Sequence, residues 1–174
     1  PALLPRTIAG IPEKESAGFF FLFISLYFFI SAWKAGKLRN RLILSLLAGI
    51  TTAMMALVWG GWTYISLTIS IALFISLILG KCKKEEIYLT LTWLFPSWLI
   101  MSIFSTRYSW EALLTSTITL IALVMPIFML INLVISNQSF SKYVELGFLK
   151  KVPKPIISIG IVMILGVIIG SIVF

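Results

Sequence analysis

The sequence predicts an all-α fold, a multi-pass transmembrane helical bundle of about six spans, and three observations carry that expectation. Of its 174 residues 60% are hydrophobic and only 11% charged, outside the range in which a chain of this length folds around a single water-facing surface. Uncharged apolar blocks recur along almost the whole length, and roughly 20 such residues cross a hydrocarbon core of about 30 Å as a helix. None of these blocks shows the short, alternating pattern of a membrane barrel, so helices are the structure that satisfies the backbone in lipid.

Six spans follow in order: residues 17–33, 42–58, 62–80, 87–105, 112–136 and 155–174. The fourth contains Pro96 and the fifth Pro126; each removes a backbone N–H and is expected to kink its helix, with neighbouring helices compensating. Asn132 lies towards the end of the fifth span, where an interhelical hydrogen bond is expected. Gly166 and Gly170 give the sixth a small face suited to packing against a neighbour. No fixed-period repeat, low-complexity tract or long linker divides the chain, which leaves a leading segment, residues 1–16, and the helical region, residues 17–174.

The connections alternate in charge. Lys34, Lys37, Arg39 and Arg41, then Lys81, Lys83 and Lys84, then Lys142, Lys150, Lys151 and Lys154 place eleven of the fourteen basic residues on one side. Only Arg6, Lys14 and Arg107 fall on the other. The positive-inside bias therefore puts both termini, the 59–61 turn and the 106–111 turn on the extracytoplasmic face. The same segregation accounts for the net charge of +8 without nucleic-acid binding, for which there is no basic soluble surface. A single cysteine, Cys82, and no histidine exclude an intrachain disulfide and the usual Cys/His zinc spacings. The chain begins with Pro1 and with no secretory leader, as expected of a piece of a longer gene product.

All six acidic residues are glutamates: Glu13, Glu15, Glu85, Glu86, Glu111 and Glu145. Only Glu13 and Glu15 combine an outside position with a spacing of two. In a turn or at an irregular helix start, both carboxylates can converge on one hard divalent cation such as Mg2+ or Mn2+, which can act as a Lewis acid on a phosphate leaving group. The same residues, "IPEKES", are also an ordinary helix start: Pro12 suits the first helical position and acids in the first turn complement the helix dipole. The two readings are compatible. Arg6, seven residues before Glu13 and between Pro5 and Pro12, adds a planar guanidinium able to hold a carboxylate or phosphate with two bonds.

Arg6-Thr7-Ile8-Ala9-Gly10, then Glu13-Lys14-Glu15, then an apolar helix, resembles the second acidic motif of the oligosaccharyltransferase catalytic subunit, most closely its archaeal members. Trp59-Gly60-Gly61-Trp62 is similar to a tryptophan-glycine-glycine-aromatic turn between two later helices of those enzymes. Taken locally, it is a tight extracytoplasmic turn with interfacial tryptophans. The resemblance is specific over roughly residues 1–80 and beyond that rests on topology. It implies transfer of a preassembled glycan from a polyprenyl (dolichyl) phosphate or pyrophosphate to asparagine of an Asn-X-Ser/Thr acceptor. It also implies a divalent cation, Mn2+ or Mg2+, and an integral location in the plasma membrane if the chain is archaeal.

Carried over residue by residue, the resemblance makes Glu13 a metal ligand, Glu15 a second acid at metal and acceptor amide, and Arg6 their electrostatic partner. Where the family commonly has aspartate, this chain has Glu13. The family's other external loops and its soluble acceptor-recognising domain would lie outside residues 1–174, so this piece is not expected to be active alone.

Arg107 and Glu111, four apart beside Tyr108 and Trp110, are expected to form a weak exposed pair at the interface or to meet lipid phosphate. The "KCKKEE" run reads as a solvated turn with some attraction for anionic lipid. Two rival functions stand against the transferase. A small ion-coupled transporter would carry ionisable groups near the midplane, whereas those here lie at span ends; a structural membrane subunit would not depend on the glutamate pair.

Overall fold

The computed structural model describes residues 14–136 and 153–173, with side chains of the last helix described as far as Ile164. Arg6 and Glu13 lie outside the described residues, as do Lys142, Glu145, Lys150 and Lys151. Among the described residues the chain is helical throughout, without strands. The helices are α1 (Lys14–Lys34), α2 (Leu38–Val58), α3 (Trp62–Ile78) and α4 (Lys84–Phe104), then a 3-10 turn (Thr106–Tyr108), α5 (Trp110–Thr115), α6 (Thr117–Ser136) and α7 (Lys154–Val173).

Four of these, α1, α2, α4 and α6, are long and apolar enough to cross a membrane; α3 and the described part of α7 are shorter apolar helices. A 21-residue helix such as α1 is about 31 Å long at 1.5 Å per residue, which matches the hydrocarbon thickness. Helices α4 and α6 run unbroken through Pro96 and Pro126. The apolar run expected over 112–136 is divided at Ser116, whose extended backbone (φ −74°, ψ 126°) separates α5 from α6. Thr119 bridges that break by donating to the carbonyls of Leu113 and Ser116.

Helix α2 lies between α1 and α4, and a second group is built by α3 and α7 on α6. Water cannot satisfy polar atoms between such helices, so they must pair with one another. Thr52 donates to the Ala48 carbonyl (2.8 Å) and accepts from the indole N–H of Trp93 (3.1 Å), while Ser25 stands 2.7 Å from the same hydroxyl. Three helices are thereby joined at one oxygen. Ser45 of α2 donates to the Leu89 carbonyl of α4. The edge-on rings of Phe29 and Trp93, 5.7 Å apart, pack alongside.

Gly49 sets the α2–α4 spacing: a Cβ there would stand 2.5 Å from the Trp93 carbonyl oxygen, closer than any side chain permits. Small residues that let helix backbones approach are the usual source of packing energy where lipid replaces the hydrophobic drive. Outward, α1 exposes Phe20, Phe23, Tyr27 and Ile30, a surface suited to lipid rather than water. Asn132 is buried, but its Oδ1 has no partner among the described residues, so the interhelical bond expected of it is not made through that atom.

Candidate functional site

Glu15 stands in the first turn of α1, half-buried, where its charge faces the positive end of the helix dipole. The glutamate therefore fills the role of helix starter, and the same position puts a carboxylate at this end of the bundle. The described residues do not include its partners Glu13 and Arg6, so their convergence with Glu15 is outside what the structure describes.

What the structure does bring to Glu15's end of the bundle is the Trp59-Gly60-Gly61-Trp62 turn. Trp59 ends α2 in extended backbone, its N–H donating to the Met55 carbonyl at 2.7 Å. Its indole lies against the first turns of α1: the Phe19 ring is 5.5 Å away, and a Cβ on Gly18 would meet Trp59 Cε3 at 2.8 Å. Only a residue without a side chain lets the indole approach there. Three residues on, Trp62 is buried and meets the Tyr108 ring edge-on at 5.8 Å. Tyr108 in turn donates its hydroxyl to the Ala56 carbonyl (3.1 Å). The turn is thus clamped between the start of α1 and the 106–108 turn.

Arg107 completes this end. Its guanidinium lies over the Tyr108 ring, 5.7 Å from the centroid, a geometry in which the ring face attracts the cation. Trp62, Thr63, Arg107 and Thr119 line a cavity of about 220 Å3 beside Gly60. The pair expected between Arg107 and Glu111 is not formed, whereas Arg41 and Glu86 do pair. The Arg107 guanidinium instead lies over the ring of Tyr108, which Trp62 and the Ala56 carbonyl hold in place.

At the opposite end the "KCKKEE" run departs from the solvated turn expected of it. Glu86 is 4% exposed; one carboxylate oxygen accepts from the Lys83 N–H at 2.5 Å and the other lies 3.8 Å from Arg41. Arg41 also donates to the Ala35 carbonyl (2.7 Å) and the Trp33 carbonyl (3.1 Å), capping the end of α1. A single guanidinium therefore ties α1, α2 and α4 together. Cys82 beside it is half-buried, and burial first, then the Glu86 carboxylate, pushes its thiol up to about 11.

Carboxylate oxygens are the right donors for a hard divalent ion, and Glu15 supplies two at the start of α1. The described residues hold no group of three or more His, Cys, Asp or Glu side chains. Glu13, the other ligand the resemblance implies, lies outside the described residues.

Apolar helices packed back and forth through polar glue, with charges at their ends, define an integral membrane protein of the multi-pass helical class. The family model described as "Oligosaccharyl transferase STT3, N-terminal" matches residues 1–172. The chain belongs to this family, which acts in oligosaccharyl transfer. Among curated proteins and among solved structures nothing matches the chain.

Proposed function

We propose that the chain is part of the membrane domain of an archaeal-type oligosaccharyltransferase. It moves a glycan from a polyprenyl or dolichyl phosphate or pyrophosphate to asparagine of Asn-X-Ser/Thr acceptors. The observation that carries this reading is the family match over residues 1–172 on a chain whose acidic helix start packs onto the Trp59–Trp62 turn. The bundle end that holds Glu15, Trp59 and Arg107 is assigned to the extracytoplasmic side, because the described basic residues other than Lys14 and Arg107 gather at the other end.

In this reading Glu13 and Glu15 hold Mn2+ or Mg2+, which when bound supplies Lewis-acid stabilisation to the phosphate leaving group. Glu15 also holds the acceptor amide by hydrogen bonding, the role the family resemblance implies for it. Arg6 is the electrostatic partner of the two carboxylates, its guanidinium able to hold a carboxylate or a phosphate with two bonds. The Trp59 turn fixes the direction in which α1 presents Glu15, since positioning of the reacting groups accounts for a large part of such rate enhancement.

Transport is the weaker reading: in α1, α2 and α4 the Glu, Lys and Arg residues stand in the first or last turns and α6 has none, whereas a coupled transporter needs charged groups at mid-depth. The test is Glu15→Gln in the full-length parent protein. Transfer to an acceptor peptide is expected to be abolished with membrane insertion intact; undiminished transfer would overturn the assignment.

A further inference from the structure

A second site lies at the end of the bundle away from Glu15. Between α4 and α6 a groove of about 330 Å3 is lined by Lys84, Ile87, Tyr88, Leu130, Leu133 and Val134. Its chemistry is divided along its length. The α6 wall is aliphatic, while Lys84 stands at the start of α4 and Tyr88, 52% exposed, one turn further in.

The surroundings of that mouth are strongly cationic. Lys81, Lys83 and Lys84 are all exposed. Among the described residues two carboxylates lie nearby: Glu86 is buried and committed to Arg41 and the Lys83 N–H, which leaves Glu85 beside the three lysines. A neighbouring apolar helix would fill the groove but leave these lysines unmatched; free phosphate would match the lysines but leave the aliphatic wall bare.

We propose that this groove holds one anionic glycerophospholipid, its phosphate at Lys84 and its acyl chain along Ile87, Leu130 and Leu133. Basic residues beside a groove between spans are suited to such headgroups, each contributing about 1 kcal/mol near the membrane surface. The site is independent of glycan transfer and does not rest on the assignment of Glu15.

The test uses the protein in nanodiscs of phosphatidylcholine with a minor fraction of phosphatidylglycerol, with lipid retained on the released protein counted by native mass spectrometry. One phosphatidylglycerol is expected to be kept in preference to phosphatidylcholine. Lys84→Gln should weaken retention about fivefold, the equivalent of one lysine's contribution, and Lys84→Arg should restore it. Leu133→Trp, which fills the groove with every lysine in place, should also release the lipid, whereas Lys37→Gln, basic but off the groove, should not. Glycerol phosphate and inorganic phosphate should fail to displace it. Equal retention of the two lipids, displacement by inorganic phosphate, or a Lys37→Gln effect as large as that of Lys84→Gln would overturn the proposal. Because Lys84 is exposed, its variants carry the test even if Leu133→Trp fails to fold.

Discussion

The rings of Phe19 and Trp59 pack with centroids 5.5 Å apart and planes at 50°, joining the acidic start of α1 to the end of α2. The contact depends on Gly18, the residue beside Phe19, which leaves room for the indole. Gly18→Val would drive a side chain into Trp59, an overpacking that costs about 1–3 kcal/mol. We expect a lower unfolding temperature in detergent and reduced transfer, because Glu15 lies one turn away on the same helix. Trp59→Ala in the Gly18→Val background should recover part of the lost stability, which distinguishes the clash from a helix-propensity effect.

The Arg41–Glu86 pair is enclosed, with side chains 18% and 6% exposed. Removing one member leaves the other charged in a site with little water, so Arg41→Met should destabilise by about 2–3 kcal/mol, reduced from the fully buried range by Arg41's remaining solvent access. The double variant Arg41→Met/Glu86→Leu should be less destabilised than either single change. Thermal unfolding of all three variants, analysed as a double-mutant cycle, measures it.

Thr52→Val keeps the shape of the residue but takes away the acceptor for the Trp93 N–H. An unpartnered buried donor and the modest worth of such bonds between membrane helices together give a loss of about 1 kcal/mol. The tryptophan emission should shift as its hydrogen bond is lost. Ser25→Ala should cost less, since Thr52 retains the Ala48 carbonyl as its own acceptor.

Cys82 gives a pH-dependent readout. Its thiol is held neutral up to about 11, against an ordinary 9.0. The raised folded value means that the stability linked to this group is fully present below about pH 9 and is lost as pH rises through about 11. Alkylation follows the thiolate, so its rate in the folded protein should stay low at pH 8 and climb only towards pH 11. A midpoint near 9 would show that the thiol is not buried against Glu86.

The helices were legible in the sequence wherever long apolar runs ended in charge, as at Lys34, Arg41 and Lys84, because hydropathy alone specifies a span. The break at Ser116 was not legible: the run on both sides is uncharged, and the turn is stabilised by hydroxyl-to-carbonyl bonds of Thr119 that a search for charged breaks does not detect. Glu86 looked solvated because its partner Arg41 is 45 positions away, a separation that only the packing of α2 on α4 closes. Of the candidate site, Glu15 and the Trp59 turn could be named from their motifs. The packing of Trp59 on Gly18 and Phe19 of α1 could not, since it needs a glycine opposite an indole. Arg6 and Glu13 rest on the motif itself.

The account depends above all on Glu15's end of the bundle facing outward. Lys14→Cys in a cysteine-free, full-length background, treated on intact cells with a membrane-impermeant maleimide, tests this most directly. Labelling before permeabilisation is the expected result. Labelling that appears only after the membrane is opened would place the acidic motif in the cytosol and contradict the proposed site.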